Sequence, residues 1–192
     1  MPYTVSECPI KGLYEIQPKV FNDNRGYFFE SYTEKDFHAL NLNMKFVQDN
    51  QSCSTKGVLR GLHFQKHFPQ GKLVRALFGK VYDVAVDLRQ GSPTFGKSHG
   101  IILDGEKQNQ FYISEGFAHG FYVLSDKAVF AYKCTNYYHP EDEGSIFWKD
   151  DKLDIPWSNI LDAEPILSDK DTKSALFDAN KTYFDINGKW ID

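Results

Sequence analysis

The stretch VYDVAVDLR at Val81–Arg89 alternates between apolar and polar residues with a period of two. Its even-numbered positions carry apolar side chains, whereas Asp83, Asp87 and Arg89 fall on the opposite face. Because successive side chains of a β-strand point to opposite faces of the sheet, this alternation predicts a half-buried strand.

Two further segments of the chain, 117–123 and 128–138, alternate in the same way. Each predicted strand places a polar group, such as His119 or Tyr132, among aromatic residues on one face. Turns rich in Gly and Pro separate the strands at intervals that are typical of an antiparallel sandwich or barrel. These turns lie at 24–26, 69–71, 90–93, 104–105 and 115–116.

Helices are predicted only at the periphery. Thr33 with Asp36 is typical of a capping box that opens a short helix. Ser168 with Asp171 predicts a second helix that runs toward Phe177. No linker or repeat interrupts the chain, so we expect one domain over residues 1–192. The predicted fold is mainly β, a double sheet of the jelly-roll type whose centre is the natural place for a ligand.

The composition is that of a globular protein with an excess of aromatic residues. Hydrophobic residues make up 41% of the chain, charged residues 25% and aromatic residues 16%. The first two values exclude disordered and coiled-coil proteins, and the aromatic side chains offer flat surfaces for a planar ligand. The net charge is -4 without a long run of either sign, so we expect neither nucleic acid nor a membrane as a partner.

Cysteine usage bears on the compartment. Cys8, Cys53 and Cys134 are odd in number and show no CxxC spacing, which favours a reducing compartment over a disulfide framework or a structural zinc site. The first ten residues show no basic segment followed by an apolar run. We therefore expect a cytoplasmic protein.

The sequence RGLHFQ at 60–65 is the first candidate for chemistry. Taken alone, His63 is more often a core histidine whose nitrogens bind the backbone. Strict alternation would send Arg60 and His63 to opposite faces of a strand. We predict instead that Gly61 marks a β-bulge that re-aims the strand, because bulges gather beside active sites.

Four other side chains have an ordinary structural explanation beside a catalytic one. Lys72 at a strand start normally extends to water, and Tyr132 on an inner face normally bonds a backbone carbonyl. His119 lies between two small residues that leave room near the backbone, and Asp171 is where a capping box places an acid. Only the geometry separates these interpretations.

The chain lacks the usual signals of metal and phosphate binding. Gln65 stands two residues after His63, and no His-x-His occurs, so a metal-free site is expected. Neither glycine-rich phosphate-binding motif is present. We therefore expect a reaction that uses side chains alone.

Seven characteristic strings occur in order over nearly the whole chain. They are RGLHFQ at 60–65, GKLVR at 71–75, DVAVDLR at 83–89, GSPTFG at 91–96, GFAHGF at 116–121, YKCT at 132–135 and SDKD at 168–171. Together these strings closely resemble the dTDP-4-dehydrorhamnose 3,5-epimerase family. Ser98 departs from the family pattern, in which an aromatic residue often follows Lys97.

The resemblance implies a cupin-like jelly-roll homodimer that needs no cofactor and acts on a dTDP-linked 4-keto-6-deoxyhexose in dTDP-L-rhamnose formation. It implies that His63 is the general base and Asp171 its partner. It also implies that Tyr132 is the acid and Lys72 the stabiliser of an enolate. By the same resemblance, the residues that contact the nucleotide, diphosphate or sugar are Arg25, Glu30, Gln48, Asp49, Asn50, Arg60, His119, Glu143 and Lys170.

The chemistry independently suits these residue types. A ketone at C4 acidifies the hydrogens on C3 and C5, and inversion needs a base on one face of the sugar and an acid on the other. A neutral His, with a pKa near 6.5, suits the first task, and a protonated Tyr the second. A lysine in a dry pocket stabilises the oxyanion, while Arg25 and Arg60 suit a diphosphate.

Two alternatives to a 3,5-epimerase stay open at this point. A related enzyme that inverts only one carbon would use the same catalytic residue types. A catalytically silent module that binds sugar nucleotides would share the fold, although the presence of all four catalytic types disfavours it.

Overall fold

The structure, a computed structural model, describes residues 2–192 as two antiparallel β-sheets packed face to face. The strands are β1 (Tyr3–Glu7), β2 (Leu13–Pro18), β3 (Phe21–Asp23), β4 (Gly26–Phe28), β5 (Gln48–Thr55), β6 (Leu59–Gln65), β7 (Lys72–Phe78), β8 (Lys80–Asp87), β9 (Ser98–Asp104), β10 (Gln110–Ile113), β11 (Phe117–Val123), β12 (Lys127–Cys134) and β13 (Glu143–Ser145).

The larger sheet has six strands in the order β1-β2-β10-β7-β12-β5. The smaller sheet has five strands in the order β13-β6-β11-β8-β9, and β3 pairs with β4 as a separate hairpin. The neighbouring strands of each sheet pair antiparallel. The predicted mainly-β double sheet is therefore confirmed.

Three hydrophobic clusters fix the layers. The first lies between the sheets, where Val74 and Phe130 of the larger sheet meet Phe121 of the smaller one. The second covers the outer face of the smaller sheet with the C-terminal segment, including Trp148 and Trp157. The third packs the short helix against the outer face of the larger sheet.

The strand predicted from VYDVAVDLR exists as β8, but its polar face is not half-exposed as predicted. Asp83 and Asp87 are both fully buried. The reason is that the smaller sheet is covered on both faces, by the larger sheet and by the C-terminal segment. The strand predicted over 117–123 coincides with β11, whereas the one predicted over 128–138 ends at Cys134.

The helix predictions hold in one of two places. Helix α1 (Glu34–Ala39) follows Thr33 as its N-cap, although the Thr33 side chain makes no capping hydrogen bond. The second prediction is wrong, since only a 3-10 turn at Asp171–Lys173 forms there. Other 3-10 turns lie at Pro140–Asp142, Asp151–Leu153 and Trp157–Asn159.

The hairpin of β3 and β4 projects from the sandwich with all of its residues exposed. Its aromatic side chains Phe21, Tyr27 and Phe28 are 51%, 58% and 69% exposed. Across residues 2–192, the structure contains no helix long and apolar enough to cross a membrane.

Candidate active site

A β-bulge at Gly61 brings Arg60 and His63 to one cavity. His63 pairs with His119 of β11, but Arg60 pairs with Phe121, so β6 carries one extra residue between these pairs. The predicted bulge is confirmed. A Cβ at Gly61 would lie 2.6 Å from the Cα of Gly120, so a glycine is needed where the two strands approach this closely.

The cavity lies between the two sheets and has two adjoining chambers of about 280 and 320 Å³. His63, on β6 of the smaller sheet, lines both chambers. Lys72 on β7 and Tyr132 on β12, both in the larger sheet, also line both chambers. The candidate base and the candidate acid therefore come from facing sheets.

His63 and Asp171 form a hydrogen-bonded pair with 2.6 Å between Nε2 and Oδ1. Burial alone would raise the pKa of the Asp171 carboxyl, but hydrogen bonds from His63 and Ser168 outweigh it and lower that pKa. The ionised carboxylate accepts a hydrogen bond from Nε2–H, which assigns the tautomer of His63 and leaves Nδ1 with its lone pair.

The capping role of Asp171 coexists with this pair. The backbone N–H of Asp171 donates to the Ser168 hydroxyl at 3.2 Å, and that hydroxyl donates to Oδ2 of Asp171 at 2.8 Å. One carboxylate thus closes its own turn with one oxygen and holds His63 with the other.

Lys72 and Tyr132 lie on the inner face of the larger sheet. Burial lowers the pKa of the Lys72 ammonium, against the opposing effects of Cys134, Asp83 and Glu143. Burial raises the pKa of the Tyr132 hydroxyl, so the phenol keeps its proton at neutral pH. Within residues 2–192 the Tyr132 hydroxyl bonds no backbone carbonyl, unlike an ordinary buried tyrosine.

Glu143 and Lys170 meet beside His63. Oε1 of Glu143 lies 3.8 Å from Nδ1 of His63, and Oε2 accepts a hydrogen bond of 2.8 Å from the Tyr138 hydroxyl. Lys170 forms an ion pair with the same carboxylate. Burial raises the pKa of Glu143, but the hydrogen bonds from Lys170 and Tyr138 outweigh it and lower that pKa. Glu143 therefore places a negative charge at the Nδ1 side of the base.

A second His–carboxylate pair, which the sequence analysis missed, is formed by His119 and Asp83. Nε2 of His119 lies 3.0 and 2.9 Å from the two carboxylate oxygens of Asp83. Burial lowers the pKa of His119, against the effect of Asp83. The available signal was the apolar sequence on both sides of Asp83, which is typical of a strand buried on both faces.

Further predicted contact residues line the cavity. The Arg60 guanidinium donates to the Ser54 hydroxyl from Nε and Nη2, at 3.3 and 3.1 Å. The amide of Gln48 donates to Asn50 Oδ1 at 3.1 Å. The cavity contains these predicted contact residues: Gln48, Asn50, Arg60, His119, Glu143 and Lys170.

Three predicted contact residues lie elsewhere in the single chain. Asp49 sits between two inward-facing residues of β5, so its side chain points to the outer face, where it pairs with Lys133 at 3.0 Å. Arg25 lies in the turn of the exposed hairpin and pairs with Asp23 at 2.6 Å. Glu30 is exposed just after β4. Asp49 lies outside the cavity because side chains alternate along β5. Arg25 and Glu30 lie outside it because they belong to the projecting hairpin or follow it directly.

Within residues 2–192 no group of three or more His, Cys, Asp or Glu side chains is arranged to hold a metal ion.

Comparisons with known proteins give a consistent result. The sequence profile of the family described as dTDP-4-dehydrorhamnose 3,5-epimerase matches residues 7–179. The chain is 53% identical over 176 residues to the dTDP-4-dehydrorhamnose 3,5-epimerase of Salmonella typhimurium, and the match covers 91% of this chain and 95% of that protein.

Solved structures agree. A dTDP-6-deoxy-D-glucose-3,5-epimerase from Legionella pneumophila, in complex with dTDP-4-keto-L-rhamnose, is 52% identical with a TM-score of 0.87, over 91% of this chain and 92% of that one. A dTDP-4-dehydrorhamnose 3,5-epimerase from Elizabethkingia anophelis is 52% identical with a TM-score of 0.86, over 92% and 97%. These likenesses confirm the predicted cupin-like fold. The chain belongs to the dTDP-4-dehydrorhamnose 3,5-epimerase family.

Proposed function

We propose that His63, Asp171, Tyr132 and Lys72 carry out the epimerisation in this chain. The activity is that of a dTDP-4-dehydrorhamnose 3,5-epimerase in dTDP-L-rhamnose biosynthesis. It inverts C3 and C5 of dTDP-4-dehydro-6-deoxy-D-glucose to give dTDP-4-dehydro-L-rhamnose. The observation that carries the proposed roles is the position of His63 and Tyr132 on facing sheets around one cavity.

His63 removes the proton through Nδ1. Its Nε2 proton is held by Asp171, so Nδ1 is the atom with a free lone pair. As the imidazole takes up the substrate proton, the Asp171 carboxylate stabilises the developing imidazolium. Asp171 stays ionised throughout, because its own pKa is low.

Tyr132 returns a proton to the other face of the sugar. A hexose between the two sheets would present one face to β6 and the other to β12. A proton taken by His63 and one given by Tyr132 therefore invert the carbon, whereas a single group would restore the same stereoisomer. Because the same keto group acidifies C3 and C5, one base and one acid serve both carbons if the sugar turns or shifts between steps. Between the two inversions, solvent takes the proton from His63 and returns one to Tyr132.

Lys72 stabilises the enolate between the two proton transfers. The negative charge develops on the C4 oxygen, and a buried cation interacts with it more strongly than it would in water. Lys72 lies beside Tyr132 in the cavity, so its ammonium is available to this oxygen.

The rest of the cavity binds the nucleotide sugar. Arg60 and Lys170 supply positive charge for the diphosphate, and an arginine fork binds phosphate oxygens in pairs. Gln48, Asn50 and Glu143 provide polar groups for hydroxyls of the ligand. His119 is a further polar group at the cavity floor. The scheme needs no cofactor.

We also propose that the chain works as a homodimer in which the β3–β4 hairpin reaches the partner's cavity. Arg25 and Glu30 lie outside the cavity of their own chain, yet the family resemblance assigns them to the ligand. The exposed Tyr27 and Phe28 would be buried by such a contact, which favours it. The three free cysteines support a cytoplasmic location.

A mixing experiment tests the hairpin proposal. Arg25→Ala is expected to weaken turnover, and His63→Ala to abolish it. A mixed dimer of the two variants holds one intact cavity served by one intact hairpin, so it should regain activity. Activity that stays at the level of the separate variants, or a monomer by light scattering, would contradict the proposal.

Incubation with dTDP-4-dehydro-6-deoxy-D-glucose in heavy water tests the reaction. NMR should detect deuterium at both C3 and C5 of the product. Deuterium at one carbon after long incubation would indicate an enzyme that inverts a single carbon, and tight binding without exchange would indicate a silent binding module.

A further inference from the structure

Asp83 is a fully buried carboxylate with a single hydrogen-bonding partner. Both of its oxygens bind Nε2 of His119, at 3.0 and 2.9 Å, and no other side chain among residues 2–192 donates to them. An ionised carboxylate accepts up to about four hydrogen bonds, and an unpaired buried charge is costly. Burial raises the pKa of the Asp83 carboxyl, and His119 and Lys72 oppose that rise. A positive charge nearby is therefore needed to keep this carboxylate ionised.

Lys72 supplies that charge from the facing sheet. His119 and Lys72 line the same chamber, and Nε2 of His119 bonds the Asp83 carboxylate. Within residues 2–192, Lys72 forms no ion pair shorter than 4.0 Å, so its ammonium is free to face the substrate. The attraction between Asp83 and Lys72 opposes the lowering of the Lys72 pKa by burial.

The other groups that face Lys72 do not replace Asp83. Cys134 and Tyr132 on β12 are acids whose pKa values burial raises, so both are neutral at physiological pH. His63 on β6 and His119 on β11 carry imidazole rings, which add no negative charge. Glu143, beside β6, is already engaged by Lys170 and Tyr138. Because Lys170 and Tyr138 already engage Glu143, Asp83 is the carboxylate near Lys72 that no cationic side chain of residues 2–192 pairs with directly.

We propose that Asp83 is a positioning residue of the epimerase with two roles. Its carboxylate accepts the hydrogen bond from Nε2–H of His119 and so fixes that ring. The same carboxylate provides the counter-charge that keeps Lys72 protonated for enolate stabilisation. The inference rests on the proposed role of Lys72. Burial raises the pKa of Asp83 and lowers that of Lys72, and the attraction between the two groups opposes both shifts. The lysine thereby keeps its charge in a dry cavity without a direct ion pair that would compete with the enolate oxygen.

The test measures the protonation of Lys72 directly. Lysine labelled with ¹³C at Cε gives an NMR signal whose shift titrates with the ammonium group, and Lys72→Met identifies the signal. In Asp83→Asn the amide oxygen still accepts from His119, but the charge is gone. The titration midpoint of the Lys72 ammonium should fall by about one pH unit or more, and the alkaline limb of the pH profile of kcat should move with it. Each unit corresponds to a tenfold change in the ratio of protonated to neutral lysine.

His119→Gln is the matched variant, because its Nε2 amide donates to Asp83 while the carboxylate charge stays. Its Lys72 midpoint should match the wild-type value even though turnover falls. Binding of dTDP, measured by calorimetry, establishes that each variant is folded.

An unchanged Lys72 midpoint in Asp83→Asn overturns the proposal, as does an equal loss of kcat at every pH with no shift of the limb. The NMR titration needs no turnover. Failure of the proposed catalytic roles would appear instead as normal turnover in Lys72→Met, whatever the midpoint in Asp83→Asn.

Discussion

Nε2 of His63 lies 2.6 Å from Oδ1 of Asp171, across 108 positions of the chain. The pair joins strand β6 of the smaller sheet to a 3-10 turn in the C-terminal segment. Because the carboxylate accepts a hydrogen bond from Nε2–H, it decides which imidazole nitrogen keeps its lone pair. The atom proposed as the base is therefore set by a contact that no local sequence pattern specifies.

Asp171→Asn should lower kcat by about 1,000-fold to 10,000-fold, because an amide that donates to Nε2 favours the wrong tautomer of His63. Steady-state kinetics measures the loss, and dTDP binding should change little. Ser168→Ala removes only the capping hydroxyl and should cost far less. Equal losses in the two variants would mean that Asp171 acts through its turn alone.

Tyr132→Phe should slow net inversion more than exchange of the substrate proton with solvent. Exchange at His63 needs no acid on the other face, whereas inversion does, and loss of a general acid costs about 100-fold to 10,000-fold. NMR in heavy water follows both rates in one sample. An equal decrease of both rates would argue against two groups on opposite faces.

Lys72→Met should lower kcat by about 100-fold to 1,000-fold, the usual effect of removing one oxyanion donor. The affinity for dTDP should be nearly unchanged, because the lost charge acts on the sugar enolate. Lys107→Met changes an exposed lysine in a turn and serves as the control with wild-type turnover. If Lys72→Met instead raised KM and spared kcat, Lys72 would be a binding residue.

Gly61→Ala should reduce both stability and turnover. Its Cβ would meet the Gly120 Cα at 2.6 Å and the His119 carbonyl at 2.7 Å, and the residue has a φ of +120°. These atoms belong to the backbone of β11 and cannot yield as a flexible side chain would, so we expect a loss of roughly 3 kcal/mol or more in the free energy of unfolding.

Gly91→Ala is the control for Gly61→Ala. Gly91 has a φ of +80° but nothing within 4 Å of its Cβ position, so only the backbone cost of roughly 1–2 kcal/mol is expected. Urea denaturation compares the two variants. A Gly61→Ala protein as stable as Gly91→Ala would show that the bulge tolerates a side chain.

Asp87→Asn should destabilise the fold by about 3–5 kcal/mol, since it leaves the buried Arg89 without its partner. Burial raises the pKa of Asp87, but hydrogen bonds from Arg89, Ser92 and Thr94 outweigh it and lower that pKa. A lowered folded-state pKa means that this stabilisation is complete above the unfolded value of 3.8 and is lost as pH falls through the folded value.

The acid part of the unfolding curve checks the sign. Wild-type protein should lose stability below about pH 4, and Asp87→Asn should lose less over that range. Glu164→Gln alters an exposed carboxylate and should follow the wild-type curve. A curve for Asp87→Asn parallel to wild type would contradict the role of this ion pair.

Much of the fold follows from local patterns. The alternation in 81–89 and 117–123 correctly predicted β8 and β11, because a period of two is a property of the strand itself. The helix predicted after Ser168 failed, because that segment makes its strongest bonds to β6 and forms a single turn.

The residue types of the site were also readable from the sequence. The bulge at Gly61 was predicted from the conflict between alternation and the placement of Arg60 and His63. By contrast, Asp83 was assigned to a polar face because one strand does not reveal whether a second layer covers it. The direction of the Asp49 and Arg25 side chains could not be predicted from the sequence either. The first depends on which face of the larger sheet is buried, and the second on how the β3–β4 hairpin projects.

The sequence by itself determined the strands, the turns between them and the family motifs, because these depend on neighbouring residues. Only the tertiary structure decided that β8 is buried on both faces, that His63 meets Asp171 and that Asp83 lies behind His119. The physical reason is that burial and hydrogen bonding between distant segments arise when the sheets and the C-terminal segment pack together, and no local period encodes that packing.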